Sequence, residues 1–311
     1  MKFSLVFPGQ GSQAPGMMSA YGESALVRDT FAEASAALGR DLWQLVSEGP
    51  AEAMNQTVNT QPLMLTAGIA AYRLWLSRGG PQPAIVAGHS LGEYSALVAA
   101  GAIEFADAVP LVELRARAMQ EAVPAGTGAM AAILGLDAAT VRDICAEVAQ
   151  GQIVEAVNLN APEQTVIAGH TAAVQRAADT CKARGAKRAL LLPVSAPFHC
   201  SLMLPAAEKL CARLATLNVV APKILLLNNV DVASPQDPAA IKDALVRQAA
   251  APVRWVETMQ AMAAQGVTHV YECGPGKVLA GLVKRCADGV TGVALADVAS
   301  VDAAIQTLQS S

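Results

Sequence analysis

Apolar and polar positions along this 311-residue chain follow two alternating patterns. Short apolar runs, typical of buried strands, are separated by longer segments in which apolar residues recur with helical spacing. The first strand is predicted over 2–7, one continuous helix over 29–46, and a buried helix over 63–76. A strand over 84–87 and a helix over 107–122 come next. This alternation predicts an α/β domain with a parallel sheet.

The pattern changes at residue 126. Strands and helices then follow in the order β-α-β-β-α-β, which is the order of the ferredoxin-like split βαβ unit. The predicted strands are 129–136, 153–160, 165–168 and 188–194, and the predicted helices are 138–149 and 172–184. The earlier alternation resumes beyond them. We therefore predict a large domain of residues 1–126 and 196–311, interrupted by a ferredoxin-like domain over 127–195.

The strongest chemical signal is the sequence Gly88-His-Ser-Leu-Gly92, which lies between a predicted strand and a predicted helix. Gly-x-Ser-x-Gly in this setting is typical of a nucleophile elbow, in which the serine is held on a strained turn. Glycine on both sides avoids collisions of a Cβ atom with neighbouring backbone. The N–H groups at the start of the following helix face the serine oxygen. The sequence predicts Ser90 as a nucleophile, and the alternative is an ordinary glycine-rich turn.

A nucleophilic serine needs a neighbouring base, and the chain has four histidines. His199 lies in the loop that leaves the inserted domain, at the seam between domains, where ligand clefts tend to form. His89 precedes Ser90 and is expected to point away from it. His170 lies in a turn of the small domain, and His269 lies in an apolar strand, typical of a core residue. Position therefore favours His199 as the base.

The composition excludes several classes of protein. Hydrophobic residues make up 53% of the chain and charged residues 15%, which allows a large core, and the net charge of −4 gives no reason to expect a nucleic-acid partner. Six scattered cysteines argue against disulfides and structural zinc and favour the cytoplasm. The first apolar run ends at Pro8, too early for a secretory signal, and the run 63–76 is too short to span a membrane.

The first loop also fits a dinucleotide-binding pattern, Gly-x-Gly-x-x-Ala, from Gly9 to Ala14. Such a unit needs a second strand ending in an acid about twenty residues further on. The pattern over 29–46 is helical instead, which argues against a dinucleotide cofactor. A glycine-rich loop of this kind can also bring bare backbone N–H groups close to a ligand oxygen.

Six motifs occur in the order found in malonyl-CoA:acyl carrier protein transacylases, and the chain resembles that family over nearly its whole length. The motifs are Pro8-Gly-Gln-Gly-Ser-Gln13, Gly88-His-Ser-Leu-Gly-Glu93, Arg115, Ala196-Pro-Phe-His199, Gln248 to Trp255 and Gly274-Pro-Gly-Lys277. The resemblance implies an α/β-hydrolase-like large domain and a ferredoxin-like small domain. It also implies malonyl transfer from malonyl-CoA to the phosphopantetheine thiol of acyl carrier protein in fatty acid synthesis, with no cofactor. A monomer is expected.

The same resemblance assigns roles to individual residues. Ser90 matches the nucleophile and His199 the general base. The backbone N–H groups of Gln10 and Leu91 match an oxyanion hole. Removing one such donor typically destabilises the transition state by about 3 kcal/mol. Arg115 matches the residue that pairs with the malonyl carboxylate, since a guanidinium can donate two parallel hydrogen bonds to a carboxylate. From the residues alone, an exposed helix arginine remains the alternative for Arg115.

Further residues are assigned to the acyl pocket and to the base. Met119, Asn158 and Asn160 fall at positions that line the acyl pocket by the resemblance, although the asparagines could instead cap a strand end. Phe198 resembles the residue that crowds a methyl branch in malonyl-selective relatives. The main-chain carbonyl of Gln248 matches the group that accepts the imidazole proton.

That carbonyl replaces a missing acid. Hydrolases with this elbow usually place an Asp or Glu between the serine and the histidine in the chain. The acids available there lie in helices or in the inserted domain, and none is well placed: Asp107, Asp137, Asp143, Asp179 and Glu163. A carboxylate within hydrogen-bond reach of His199 would contradict the assignment of Gln248.

Other functions remain open at this point. The chain could be a serine esterase or thioesterase that passes the acyl group to water, although Arg115 and the missing acid argue against this. It could be a catalytically inactive docking module for acidic acyl carrier protein. The same chemistry could also serve polyketide synthesis or malonate decarboxylation. Basic residues that could meet the carrier are Lys182, Lys187, Arg188, Lys277, Lys284 and Arg285.

Overall fold

The computed structural model describes residues 1–310; Ser311, the last residue of the predicted large domain, lies outside them. The chain has a mixed α/β fold with one parallel sheet and one separate antiparallel sheet. The strands are β1 (Phe3–Phe7), β2 (Ile85–Gly88), β3 (Gly128–Leu134), β4 (Val154–Ala161), β5 (Gln164–His170), β6 (Arg188–Leu191), β7 (Leu225–Leu227), β8 (His269–Cys273) and β9 (Thr291–Leu295).

Helices surround these strands. They are α1 (Ala25–Leu38), α2 (Leu42–Glu48), α3 (Ala51–Met54), α4 (Thr57–Ser77), α5 (Gly92–Ala99), α6 (Phe105–Glu121), α7 (Ala138–Val148), α8 (Thr171–Ala183), α9 (Leu204–Ala215), α10 (Pro238–Gln248), α11 (Trp255–Ala264), α12 (Val278–Cys286) and α13 (Val298–Gln309), with short 3-10 turns at Ser19–Tyr21 and Ser201–Met203. None of these helices in the described chain combines the length and the hydropathy that crossing a membrane would require.

The parallel sheet brings three loops to one edge. Its strand order is β7-β2-β1-β8-β9, and every residue of the central strand β1 is buried. Phe7 pairs with Gly88 at the carboxyl ends of β1 and β2, and Val6 pairs with Glu272 of β8. Because carboxyl ends of parallel strands meet at one edge, the loops after β1, β2 and β8 lie together there. Ligand sites in parallel α/β sheets form at that edge.

The antiparallel sheet is built from one continuous segment. Its order is β4-β5-β3-β6, and α7 and α8 pack on it around a small apolar core. The predicted order β-α-β-β-α-β is therefore present. Main-chain hydrogen bonds join this sheet to the segment between α10 and α11: Leu159 N–H donates to Val253 O over 3.0 Å, and Val253 N–H donates to Val157 O over 2.8 Å.

One helix prediction was wrong. The segment predicted as a single helix over 29–46 contains two helices, α1 and α2, because the chain turns at Gly39. Gly39 has φ +67°, a left-handed conformation that ends helices and that glycine adopts without a Cβ penalty. Asp41 then caps α2 by accepting a 2.9 Å hydrogen bond from the N–H of Gln44. The helical periodicity continues across the turn, so it could not reveal the break.

Candidate active site

Ser90 lies in the sharp turn between β2 and α5, where the parallel sheet presents its carboxyl edge. It has φ +54°, which is unusual for a residue other than glycine and marks a strained backbone. Its N–H donates to Asn229 Oδ1 over 2.7 Å, and its carbonyl accepts from Gln248 Nε2 over 2.9 Å. Side chains distant in sequence therefore hold both backbone polar groups of the serine.

The glycines on either side of Ser90 are required by close backbone contacts. A Cβ atom on Gly88 would lie 1.8 Å from the carbonyl carbon of Gly92. A Cβ atom on Gly92 would lie 2.0 Å from the carbonyl oxygen of Phe7, at the end of β1. Neither neighbour is a flexible side chain that could move aside. The first turn of α5 therefore packs directly against the backbone of β1, and this contact fixes the position of Ser90.

We expect Gly92→Ala to lower the free energy of unfolding by about 3 kcal/mol, because the new methyl group would force the backbone of α5 away from β1. Urea denaturation followed by circular dichroism measures the change. Gly281→Ala is the matched control, since Gly281 also lies in a helix but a Cβ there would meet nothing within 4 Å. The control should change stability by less than about 1 kcal/mol, on the stabilising side. Equal losses in both variants would contradict the packing argument.

His199 directly contacts the serine hydroxyl. Its Nε2 lies 2.6 Å from Ser90 Oγ, and its Nδ1 lies 2.8 Å from the carbonyl oxygen of Gln248. The carbonyl can only accept, so Nδ1 carries a proton and Nε2 is free to accept the serine hydroxyl proton. Within residues 1–310, no carboxylate hydrogen-bonds to this ring. The imidazole of His199 is therefore oriented by a neutral main-chain group.

Electrostatics keep this base neutral. Burial, together with the neighbouring Arg115 guanidinium, lowers the pKa of His199 to about 3. A neutral imidazole is the form that can accept a proton. The other candidate near the elbow, His89, turns away from Ser90, and its Nε2 lies 2.8 Å from Asn160 Oδ1. Of these two histidines, only His199 contacts the serine hydroxyl.

Arg115 is buried, with only 2% of its surface exposed. Nη1 donates to Gln61 Oε1 over 2.8 Å, and Nη2 donates to Gln248 Oε1 over 3.0 Å and to Ser90 Oγ over 3.3 Å. These partners are all neutral. The alternative of an exposed helix arginine applies instead to Arg117, whose side chain is 62% exposed. A buried guanidinium beside the Ser90 hydroxyl favours a ligand that carries a negative charge.

A cavity of about 450 Å³ adjoins Ser90. Its wall is formed by residues from the parallel-sheet part of the chain and from the antiparallel-sheet part. The predicted site residues in its wall are Gln10, Ser90, Arg115, Met119, Asn158, Phe198 and His199. Asn160 is not in this wall; its side chain contacts His89 instead. Residues two apart on a regular strand share a face, but the register shift between Leu159 and Ala161 breaks that alternation at Asn160. The cavity is the size of a small-ligand site.

The loop after β1 runs against the elbow. A Cβ atom on Gly9 would lie 2.6 Å from the carbonyl oxygen of His89 and 3.8 Å from the N atom of Leu91. The close approach explains why glycine stands at this position. Within residues 1–310, neither Gln10 nor Leu91 donates its main-chain N–H to another protein atom. Both groups are therefore available to an oxygen atom placed at the elbow.

Three residues at the site were missed by the sequence reasoning: Gln61, Glu93 and Asn229. Each is buried and reaches the site by its side chain, Gln61 through Arg115, and Glu93 and Asn229 through the elbow. A usable signal existed for Glu93, because it is a lone charge in a short apolar helix. For the other two, no local pattern distinguishes them from ordinary polar residues.

No metal site accompanies these residues: residues 1–310 contain no cluster of three or more His, Cys, Asp or Glu side chains that could hold a metal ion. All six cysteines are free thiols, and Cys211 alone is exposed. The polar groups gathered at the elbow are a hydroxyl, an imidazole, a guanidinium and backbone N–H groups.

This fold, with a serine and a histidine in contact at a strand-to-helix elbow, is that of an acyltransferase. The chain belongs to the acyl transferase domain family, whose model matches residues 4–303. It is 58% identical over 306 residues to the malonyl CoA-acyl carrier protein transacylase of Escherichia coli strain K12, covering 98% of this chain and 99% of that protein.

Solved structures agree with this assignment. The acyl-carrier-protein S-malonyltransferase of Burkholderia pseudomallei 1710b matches with a TM-score of 0.97 and 62% identity, covering 98% of this chain and 100% of that one. A malonyl-transacylase in complex with its type II PKS acyl-carrier protein matches with a TM-score of 0.97 and 52% identity, covering 99% and 100%. The family resemblance found in the sequence is thereby confirmed.

Proposed function

We propose that this chain transfers the malonyl group from malonyl-CoA to the phosphopantetheine thiol of acyl carrier protein, in fatty acid biosynthesis. One observation carries the proposal: a single hydroxyl, Ser90 Oγ, lies 2.6 Å from His199 Nε2 and 3.3 Å from Arg115 Nη2. A nucleophile, its base and a carboxylate-binding cation therefore meet at one point. The names of the most similar relatives support the same substrate and carrier.

The first half-reaction loads the serine. Ser90 Oγ attacks the thioester carbonyl of malonyl-CoA while its proton moves to His199 Nε2. The carbonyl oxygen becomes an oxyanion, to which the N–H groups of Gln10 and Leu91 donate. The tetrahedral intermediate collapses, the bond to sulfur breaks, and coenzyme A leaves as a thiol with the proton from His199. Malonyl-Ser90 remains on the enzyme.

The second half-reaction is the reverse process with a different thiol. The phosphopantetheine thiol of the carrier attacks the malonyl ester and gives its proton to His199. The bond to Ser90 Oγ breaks, and the serine takes the proton back. Protein groups supply the nucleophile, the base and the oxyanion donors, so the reaction balances without a cofactor. Because coenzyme A leaves before the carrier thiol reacts with malonyl-Ser90 at the same site, the kinetics are ping-pong.

The acyl pocket follows from the cavity wall. Arg115 pairs with the distal malonyl carboxylate, and Met119 and Phe198 supply the apolar sides of the pocket. Phe198, next to the base in sequence, crowds a branch at the α-carbon. Asn158 lines the same cavity, whereas Asn160 acts on the site by holding His89.

We also propose the domain organisation predicted from the sequence. The parallel sheet and its helices form an α/β-hydrolase-like domain of residues 1–126 and 196–311. The antiparallel sheet forms a ferredoxin-like domain over 127–195, and its strand order β4-β5-β3-β6 supports this. The site lies where the two meet. Nucleophile, base and arginine come from one chain, which supports a monomer, and the free cysteines support a cytoplasmic location.

Intact-mass spectrometry after brief mixing with malonyl-CoA tests the function. The parent should gain one malonyl group, and acyl carrier protein in its phosphopantetheine form should discharge it. Release of free malonate without a persistent adduct would indicate a thioesterase, and no reaction at all would indicate a docking module. No observation favours the polyketide or malonate decarboxylase alternatives, which a comparison of purified carrier proteins would address.

We expect Arg115→Ala to lower kcat/KM for malonyl-CoA by about 100-fold, because two charge-assisted hydrogen bonds to the carboxylate are lost. Acetyl-CoA has no carboxylate, so its use should not fall and the preference for malonyl should disappear. Steady-state transfer assays with both thioesters measure this ratio. Arg117→Ala is the control, because it lies in the same helix but faces solvent. An unchanged ratio in Arg115→Ala would contradict the assignment.

A further inference from the structure

Given the proposed function, on which this inference rests, we infer that Glu93 is a positioning residue whose carboxylate fixes the nucleophile, the base and the carboxylate-binding arginine relative to one another. Glu93 lies in the first turn of α5 and is 1% exposed. Glu93 is not part of the cavity wall; its backbone N–H donates to the Ser90 carbonyl over 3.1 Å, but its side chain makes no hydrogen bond to Ser90 Oγ in the described chain. Its effect on the reaction therefore passes through its neighbours.

One oxygen of Glu93 binds two neighbours. Oε2 accepts the backbone N–H of Asn229 over 2.9 Å and the side-chain Nε2 of Gln248 over 3.0 Å. Asn229 in turn accepts the N–H of Ser90 with Oδ1 and donates Nδ2 to the carbonyl of Gly88 over 2.7 Å. The strained turn that carries the nucleophile is thus tied to the carboxylate through Asn229.

The second neighbour, Gln248, links the base to the arginine. Its main-chain carbonyl accepts from His199 Nδ1, and its side-chain Oε1 accepts from Arg115 Nη2. A carboxylate that accepts from Nε2 fixes which end of this amide is the oxygen, because only Nε2 can donate to Glu93. Oε1 must then face Arg115. Nε2 also donates to the Ser90 carbonyl over 2.9 Å, so without Glu93 the amide keeps only one of its two acceptors and is held less firmly toward the guanidinium.

The buried carboxylate of Glu93 needs interactions that offset the cost of removing it from water. Burial raises the pKa of Glu93 to about 7, while its hydrogen bonds with Gln248 and Asn229 act in the opposite direction. Burying a carboxylate is costly unless it is paired and hydrogen-bonded. Arg115 has only neutral direct partners, and Gln248 stands between it and Glu93. The acid and the arginine therefore form a charge pair joined through one amide.

Three variants test this role, assayed for Ser90 acylation at a pH about one unit above the pKa of Glu93. Glu93→Leu removes the acceptor and should lower malonyl acylation by about 100-fold, because the reacting groups lose their alignment. Its malonyl-to-acetyl ratio should fall by about 10-fold as Arg115 loses an oriented partner. Glu93→Gln keeps a carbonyl oxygen that can accept both hydrogen bonds and should recover most of both quantities.

Glu93→Asp keeps the charge but withdraws the oxygens by about 1.5 Å, the length of one carbon–carbon bond. It should lower the ratio in the same direction, which preserves the test if Glu93→Leu does not fold. Glu272→Leu is the matched control: Glu272 is a buried acid that accepts the N–H of Ala280 over 2.8 Å, outside the site. This variant should lose stability while its malonyl-to-acetyl ratio stays that of the parent.

The outcomes separate this inference from the proposed function. A parent protein that malonyl-CoA does not acylate would contradict the proposed function. If the parent is acylated, two results would overturn the inference. One is a Glu93→Asp variant whose malonyl-to-acetyl ratio of Ser90 acylation equals that of the parent. The other is a Glu93→Leu variant whose malonyl and acetyl acylation rates fall by the same factor. Loss of the ratio in Glu93→Leu with recovery in Glu93→Gln would support it.

Discussion

Ser90→Ala is expected to abolish the malonyl adduct and to lower malonyl transfer by at least about 10⁴-fold, because the other hydroxyls of the cavity wall, on Thr57 and Ser195, bond to each other and not to His199. The hydroxyl is the atom that both His199 and Arg115 contact. Removing it leaves the cavity, the oxyanion donors and the arginine in place. Substrate should therefore still bind, which equilibrium dialysis with malonyl-CoA can measure alongside the intact mass.

The matched control is Ser95→Ala, five residues further along in α5. Ser95 is buried, whereas Ser90 is half-buried, and the Oγ of Ser95 has no hydrogen-bond partner within residues 1–310. Its loss should leave the adduct and the transfer rate as in the parent. A malonyl adduct that persists in Ser90→Ala would move the nucleophile to another residue, which peptide mapping of the adduct would then identify.

His199→Ala should lower the rate of Ser90 acylation by about 10³-fold, since the serine hydroxyl would lose its proton acceptor. The depressed pKa of the imidazole keeps it neutral in the parent, so the whole population of the base is competent at neutral pH. Stopped-flow release of coenzyme A measures this step separately from discharge. Discharge to the carrier should slow as well, because the same base accepts the thiol proton.

His269→Gln is the control for this change. Contrary to the prediction of a core residue, His269 is only half-buried, and its Nδ1 lies 3.1 Å from Thr268 Oγ1. It is far from the cavity wall and should not affect either half-reaction. If His199→Ala acylated Ser90 at the parent's rate, another proton acceptor would have to act on the serine, and His89, in the wall of the same cavity, would be the first to examine.

The fold was largely predictable because its signals are local. The alternation of short apolar runs with helical segments follows from strands buried on both faces and helices buried on one. The change at residue 126 marked the antiparallel segment within a few residues of β3. The break at Gly39 was missed because a single left-handed glycine ends a helix without interrupting the periodicity.

The site was predictable in part for the same reason. The elbow is contiguous in sequence, so Ser90 could be recognised from five residues and their neighbours. His199 required a choice among four histidines, since it meets the serine from 109 residues away. The role of Arg115 rested on the family resemblance alone, because helical spacing could not distinguish a buried arginine from an exposed one.

The sequence by itself predicted the order of the strands and of most helices, and it proposed Ser90 as the nucleophile and His199 as its base. Tertiary structure decided the rest: that Arg115 is buried, that Asn160 faces His89 instead of the cavity, and that Glu93 holds Gln248. These contacts join residues 71 to 155 positions apart, and Arg115 and Gln248 are 133 apart. Local patterns reflect the burial of each element's own faces, whereas a polar contact between distant segments depends on how those elements pack.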